Sequence, residues 1–294
     1  MNQFGGVHTI DKQYRLGLYL AAFTTFMKDK PFQLMYVDAF AGSGSHSPIH
    51  RNTKNNIQGF FPKPAPQVFD GSARLALQVK PKFDKYIFID NKPNNTAQLS
   101  RLQDEYPDDN IKVKNDDANI YLKKLCKKCD WTHWRAVLFL DPYGMQVNWT
   151  TIEAVAQTHA IDLWCLFPLG VAVNRLLRRD GRINKTSRYK LDEVLGSHDW
   201  YGVFYKTKTG QNLFGEYTKI IKIAKPNQVG EYYLNQLRSV FAGVARRPLR
   251  LYNKSTLLYW LYFAAGDQNG ATRRISIAEN ILASLSVRQG LKHS

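Results

Sequence analysis

Short apolar runs that end in an acid recur along the first two thirds of this chain. Residues 34–37 form one such run, closed by Asp38, and residues 86–89 form a second, closed by Asp90. Residues 111–114 lead into Asn115, Asp116 and Asp117, residues 136–140 are closed by Asp141, and residues 161–167 make a fifth run. Runs this short and this apolar predict strands buried on both faces. The spacing between them is helical over residues 10–28, with Leu16, Leu20, Phe23 and Phe26 on the apolar side and Thr9 as the expected N-cap. Helices are also predicted over 71–79, 93–105 and 120–126. Strands alternating with helices give a parallel sheet with both faces covered. After residue 167 the pattern changes: helices are predicted near 189–196, 211–225 and 230–244. Two strands over 249–253 and 256–265 then form a hairpin, and a helix near 272–285 follows. Residues 45–70 show no periodicity, which predicts a functional loop.

The fold expected is therefore α/β, a mostly parallel seven-stranded sheet with a C-terminal antiparallel hairpin and a basic, mainly helical insertion over 175–245. A single domain spans residues 1–294.

Composition narrows the class. With 44% hydrophobic residues the chain has ample core material. No basic-then-apolar leader and no apolar run near the ~18 residues of a membrane span are present, so a soluble cytoplasmic protein with no membrane partner is expected. Three cysteines, Cys126, Cys129 and Cys165, cannot build a disulfide framework. Cys126, Cys129 and His133 offer at most three zinc ligands, so no metal is expected. The formal net charge is +17. Residues 171–294 hold 21 of the 41 Lys and Arg but only 8 of the 24 Asp and Glu. That asymmetry predicts a polyanionic partner, nucleic acid, met by Arg178, Arg179, Arg182, Lys185, Arg188, Arg246, Arg247 and Arg250.

The acids at the strand ends select the small ligand. Gly42 and Gly44 follow the first strand, but no third glycine runs into a helix and no Gly-Lys-Ser/Thr loop is present, which argues against a dinucleotide or a phosphate loop. A cationic ligand without phosphates, S-adenosylmethionine (SAM), suits acids at strand ends better than a helix N-terminus does.

The segment Asp38-Ala-Phe40-Ala-Gly42-Ser-Gly44 resembles the first motif of Rossmann-like, class I SAM-dependent methyltransferases. By that resemblance Gly42 and Gly44 would lie under the methionine part, Asp90 would take the ribose hydroxyls and Asp117 or Asp116 the adenine amino group, with Asp38 and Phe40 also among the cofactor-binding residues. Asp141-Pro142-Tyr143-Gly144 is similar to the motif of methyltransferases acting on exocyclic base amines, with one Pro fewer and the aromatic one place early. Asp141 and the Pro142 carbonyl would orient the amine, and Tyr143 would stack on a base taken out of its helix. A cytosine-C5 mechanism needs a cysteine after this strand, and none is there.

Together with His8, Thr9, Lys12 and residues 70–72, 88–90, 139–147 and 258–264, these motifs resemble the three-Cys-motif partner family of bacteria and phages. The resemblance implies a partner carrying a three-cysteine, iron–sulfur-type motif. Two further readings follow: a non-catalytic component that presents a substrate to that partner, and a small-molecule methyltransferase. His8, Thr9 and Lys12 lie on the helix that covers the cofactor in such folds, though capping and a solvated lysine explain them as well.

Overall fold

In the computed structural model, residues 7–44 and 71–284 are described. The expected loop over 45–70 lies outside them.

The five apolar runs are strands: β1 (Gln33–Asp38), β2 (Lys85–Asp90), β3 (Ile111–Asn115), β4 (Trp134–Leu140) and β5 (Ile161–Phe167). β5 is buried at every position and β4 at its last five, as central strands covered on both faces must be. The helices are α1 (Val7–Met27), α2 (Ser72–Gln78), α3 (Pro93–Glu105), α4 (Ala118–Lys128), α5 (Trp149–Ala156), α6 (Asn174–Leu176), α7 (Lys185–Leu195), α8 (Trp200–Phe204), α9 (Pro226–Val240) and α10 (Ala271–Ala283). α1 begins before Thr9, which is therefore a helical residue and not the N-cap. α5 occupies a stretch in which the sequence pattern predicts no element.

The remaining strands are β6 (Tyr205–Asn212), β7 (Gly215–Lys222), β8 (Gly243–Val244), β9 (Leu249–Asn253) and β10 (Thr256–Ala265). The main sheet runs β3-β2-β1-β4-β5-β10-β8, with β9 paired to β10. β1 to β5 are mutually parallel, and β10 lies antiparallel to β5. This is the mostly parallel, Rossmann-like α/β arrangement with an antiparallel C-terminal return that the sequence predicts, with one refinement. The strand beyond β10 is the two-residue β8, and the predicted hairpin partner β9 makes an eighth.

The helix expected over 211–225 does not exist; that segment is most of an antiparallel hairpin, β6–β7, which forms its own two-stranded sheet. Leu213, Tyr217, Ile220, Ile221 and Ala224 mimic helical spacing. Gly215, at φ +111°, and the β-branched Thr207, Thr209 and Thr218 favour a turn between two strands instead.

Two cores flank the sheet. On one side α1, α2, α3 and α10 pack Leu16, Tyr19, Leu75, Leu99 and Ala278 against Tyr36, Phe88, Phe139 and Trp164. On the other α4, α5, α7 and α9 pack Leu122, Ile152, Leu191 and Leu234 against Val37, Leu138 and Leu163. Asp162, near the start of β5, is the polar centre of the first side. Its carboxylate accepts the Tyr19 hydroxyl at 2.6 Å and the Gly266 amide at 3.3 Å, and pairs with Arg274 at 3.3 Å. Burial still pushes the Asp162 carboxyl up from its ordinary range, with Arg274 and the Tyr19 hydroxyl opposing. The hub ties α1 and α10 to the same strand. Asp162→Ala leaves the buried Tyr19 hydroxyl and Gly266 amide without their acceptor and takes from Arg274, itself 2% exposed, one of its two carboxylates, the other being Asp267; it should cost about 1–3 kcal/mol in urea denaturation. Asp162→Asn keeps the hydrogen-bonding shape and should cost less.

Candidate active site at the carboxyl ends of the strands

The chain leaves β1 toward β2 and β3, then returns to build β4 on the other side of β1. Ligands of open α/β sheets bind at this kind of reversal, outside the carboxyl ends of the strands. Here the reversal places Asp38 and Asp141 at neighbouring tips, since Asp38 pairs in register with Phe139. A cleft of about 70 Å³ opens above them, walled by Gly42, Gly44, Gly71, Phe40, Phe139 and Asp141, and by Lys12 and Gln13 of α1. That volume admits one end of a nucleoside-sized ligand. A larger hollow, about 540 Å³, is lined by Lys80, Lys82, Asp84, Glu105 and Asp109 at the amino edge of β2, away from the acidic tips.

Two glycines shape the cleft. Gly42 has φ +61°, and a Cβ built on it would meet nothing within 4 Å, so only a residue without a side chain leaves that hollow open at this backbone angle. Gly71 packs its Cα on the backbone of Gly44, where a Cβ would come to 3.0 Å of the Gly44 carbonyl. α2 can therefore start directly against the loop.

Asp38 is wholly buried beneath this floor and does not line the cleft. It accepts the Phe40 amide at 3.3 Å, while its Oδ2 has no hydrogen-bond partner among the described residues. Burial drives its pKa up to about 7, opposed by the nearby Ser72 hydroxyl and reinforced by Asp141. Asp90 braces the loop: Oδ2 accepts the Gly42 amide at 3.1 Å, and Oδ1 accepts the Lys92 amide at 2.8 Å and the Asn95 side chain at 3.0 Å. Asp117 is the N-cap of α4, accepting the amides of Asn119 and Ile120 at 2.9 and 3.0 Å. Half-buried Asp116 accepts the Asp117 amide at 2.8 Å.

Asp141 is three-quarters covered, and its Oδ2 takes an ion pair from Lys12. Lys12 is thus buried against β4, which corrects the reading of it as a solvated lysine. Pro142 is buried, while Tyr143 is 84% exposed, its amide donating to Gln146 Oε1 at 2.9 Å. Tyr259, near the start of β10, is a site residue that the sequence pattern does not reveal. Its phenol is pushed up by burial first, then by Asp141 and Tyr143, and the pairing of the next residue, Trp260, with Phe167 puts it at the carboxyl edge of the sheet. Only the antiparallel return of β10 to the carboxyl edge of β5 brings it there, and no local pattern signals that. Gln13 escapes notice for a similar reason.

The basic residues Arg178, Arg179, Arg182, Lys185, Arg188, Arg246, Arg247 and Arg250 are all exposed. Arg188 stacks over Tyr201 at 4.3 Å and Arg250 over Trp260 at 4.8 Å. Arg178 pairs with Asp180, and the charge of Arg246 is answered by Glu279 on α10. Among the described residues no cluster of His, Cys, Asp and Glu could hold a metal. None of the helices there is long and apolar enough to cross a membrane.

No protein-family model and no curated protein matches the sequence. Among solved structures, protein LPL1258 from Legionella pneumophila, of the family DUF519, superposes with a TM-score of 0.53. It is 14% identical, and the match covers 96% of this chain and 94% of that one. This likeness shows a shared fold. Looser overlaps include an S-adenosylmethionine-dependent methyltransferase from Clostridium acetobutylicum, TM-score 0.36, 9% identity, covering 87% and 92%. Another is an rRNA methylase from Streptococcus thermophilus, TM-score 0.29, 14% identity, covering 71% and 95%. At those scores neither bears on the chemistry of this chain.

The buried carboxyl yields a pH prediction. Asp38 has a folded-state pKa near 7 against an ordinary 3.8. Its contribution to stability is therefore fully present below about 3.8 and is lost as the pH rises through 7. Asp38→Asn should remove that loss, so its urea midpoint should gain on the wild type between pH 5 and pH 8. A constant difference would show that Asp38 does not titrate in this range.

Proposed function

We propose that the protein is a SAM-dependent methyltransferase whose acceptor is an exocyclic amine of a nucleic-acid base. The observation that carries this reading is the position of Asp141 in the wall of the Gly42–Gly44 cleft. The residues fit the donor: a hollow at Gly42 that no side chain fills, and a buried carboxyl whose second oxygen lacks a partner among the described residues. Gly42, Gly44 and Phe40 would hold the methionine end, with Asp38 acting through the field it sets beneath them. Asp90 would keep the loop in shape and offer its remaining lone pairs to the ribose. The adenine amino group falls to Asp116, because Asp117 serves as a helix cap.

When bound, SAM supplies a methyl group on a cationic sulfur that leaves as a neutral thioether. Lys12 takes Oδ2 of Asp141, so Oδ1 is the oxygen to which the amine donates. The Pro142 carbonyl accepts the second amine hydrogen, which leaves the nitrogen lone pair facing the cleft. Once nitrogen has gained its methyl group, Asp141 Oδ1 takes its surplus proton. Tyr143, exposed at the carboxyl edge just past Asp141, stacks on the base. The charge of +17 favours nucleic acid over a small molecule as the acceptor.

Incubation with SAM and mixed cellular RNA and DNA, followed by nucleoside mass spectrometry, tests the reading. N-methylated bases should form with the wild type. Asp141→Ala should lower their yield about 10²-fold or more while calorimetry shows SAM still bound. SAM bound without any methylated nucleoside would favour a substrate-presenting role beside a three-cysteine-motif protein.

A further inference from the structure

The β6–β7 hairpin has two unlike faces. Register pairs Lys208 with Lys219, Lys206 with Ile221 and Gly210 with Tyr217, so these six residues share one face. Tyr217 lies over Gly210, where a Cβ would come to 2.7 Å of its ring, and the Lys219 ammonium sits 5.2 Å from the same ring. Lys206, Lys208 and Lys219 are exposed. No acid of the hairpin shares this face, because Glu216 pairs with Gln211 on the other. That other face is the anchored one. Ile220 packs at Gly181, the Tyr205 hydroxyl donates to the Arg178 carbonyl at 2.9 Å, and the Lys222 amide donates to the Arg179 carbonyl at 2.9 Å. The hairpin thus stands on the basic turn that holds Arg178, Arg179 and Arg182.

Like charges placed directly opposite each other on a sheet are destabilising. Lys208 and Lys219 are such a pair, with Lys206 beside them, and no carboxylate of the hairpin relieves them. Resting on the nucleic-acid reading above, we propose that this lysine–tyrosine face is the docking surface for the phosphodiester backbone of the substrate. A phosphate between Lys208 and Lys219 turns their repulsion into attraction, and Tyr217 offers an aromatic plane to an adjacent base. Leu213 and Phe214 at the tip, 100% and 98% exposed, extend the same element past the backbone.

The test uses the full chain with fluorescein-labelled single-stranded RNA and DNA of one sequence, read by anisotropy across a salt series. Lys208→Thr with Lys219→Thr keeps strand-forming residues and removes the repulsion, so thermal stability should hold or rise. For this pair, affinity should fall and the slope of log affinity against log salt should flatten by roughly 1.4, about 0.7 for each phosphate no longer neutralised on a single strand. Lys208→Glu with Lys219→Glu should weaken binding further. Unchanged affinity and slope in both variants, against a wild type that binds, would overturn the hairpin assignment and leave the substrate reading standing. A wild type that binds neither probe would overturn both. Loss of binding to phosphatidylserine vesicles with nucleic-acid binding untouched would assign the face to a membrane instead and overturn the proposal.

Discussion

The reversal of winding between β1 and β4 is the constraint on which the site depends. A parallel sheet built outward in one direction leaves each strand tip covered by the crossover that follows it. When the chain crosses back, the two loops diverge and a gap opens between adjacent tips. In this chain the gap lies between the Gly42–Gly44 loop and the turn at Asp141. The hub at Asp162 keeps α1 over that gap, because Tyr19 and Arg274 bind one carboxylate on β5 from two different helices.

Electrostatics at the gap follow from its geometry. Neighbouring parallel strands bring Asp38 and Asp141 together, and burial first, with Asp141 adding to it, makes Asp38 hold its proton up to about pH 7. Lys12 is the cation the fold itself supplies, paired with Asp141 from α1. The site is therefore a place where a buried acid pair is only partly balanced. A ligand bearing positive charge near the glycine loop gains from that imbalance, and a phosphate would not. The positive surface lies elsewhere, on the hairpin and the turn at its root. In the proposed function, the small cationic donor and the large anionic acceptor would bind separate parts of one chain.

Much of this was legible in the residues. Apolar runs closed by acids located β1, β2 and β4, and β5 was read to the residue, because a strand buried on both faces has no other way to be written. Gly42 and Asp141 are also readable, since Asp141 directly follows β4 and Gly42 lies in the short loop after β1. What stayed hidden depended on distance along the chain or on competing periodicity. Lys12 looked solvated because its partner is 129 positions away. Tyr259 reaches the site only through the antiparallel pairing of β10. The sequence over 211–225 reads as a helix because its apolar residues fall at helical intervals, whereas Gly210, under the Tyr217 ring, and Gly215, at φ +111°, belong to a hairpin. β8 spans two residues, too few for any period to show.

Co-crystallisation with S-adenosylhomocysteine, the demethylated product of the proposed donor, tests the central claim most directly. The account predicts density with the amino-acid end over Gly42 and Gly44, the ribose toward Asp90, and the sulfur facing Asp141. A product that binds away from the β1–β4 gap, or a protein that fails to bind it at saturating concentration, would contradict the assignment of this cleft to methyl transfer.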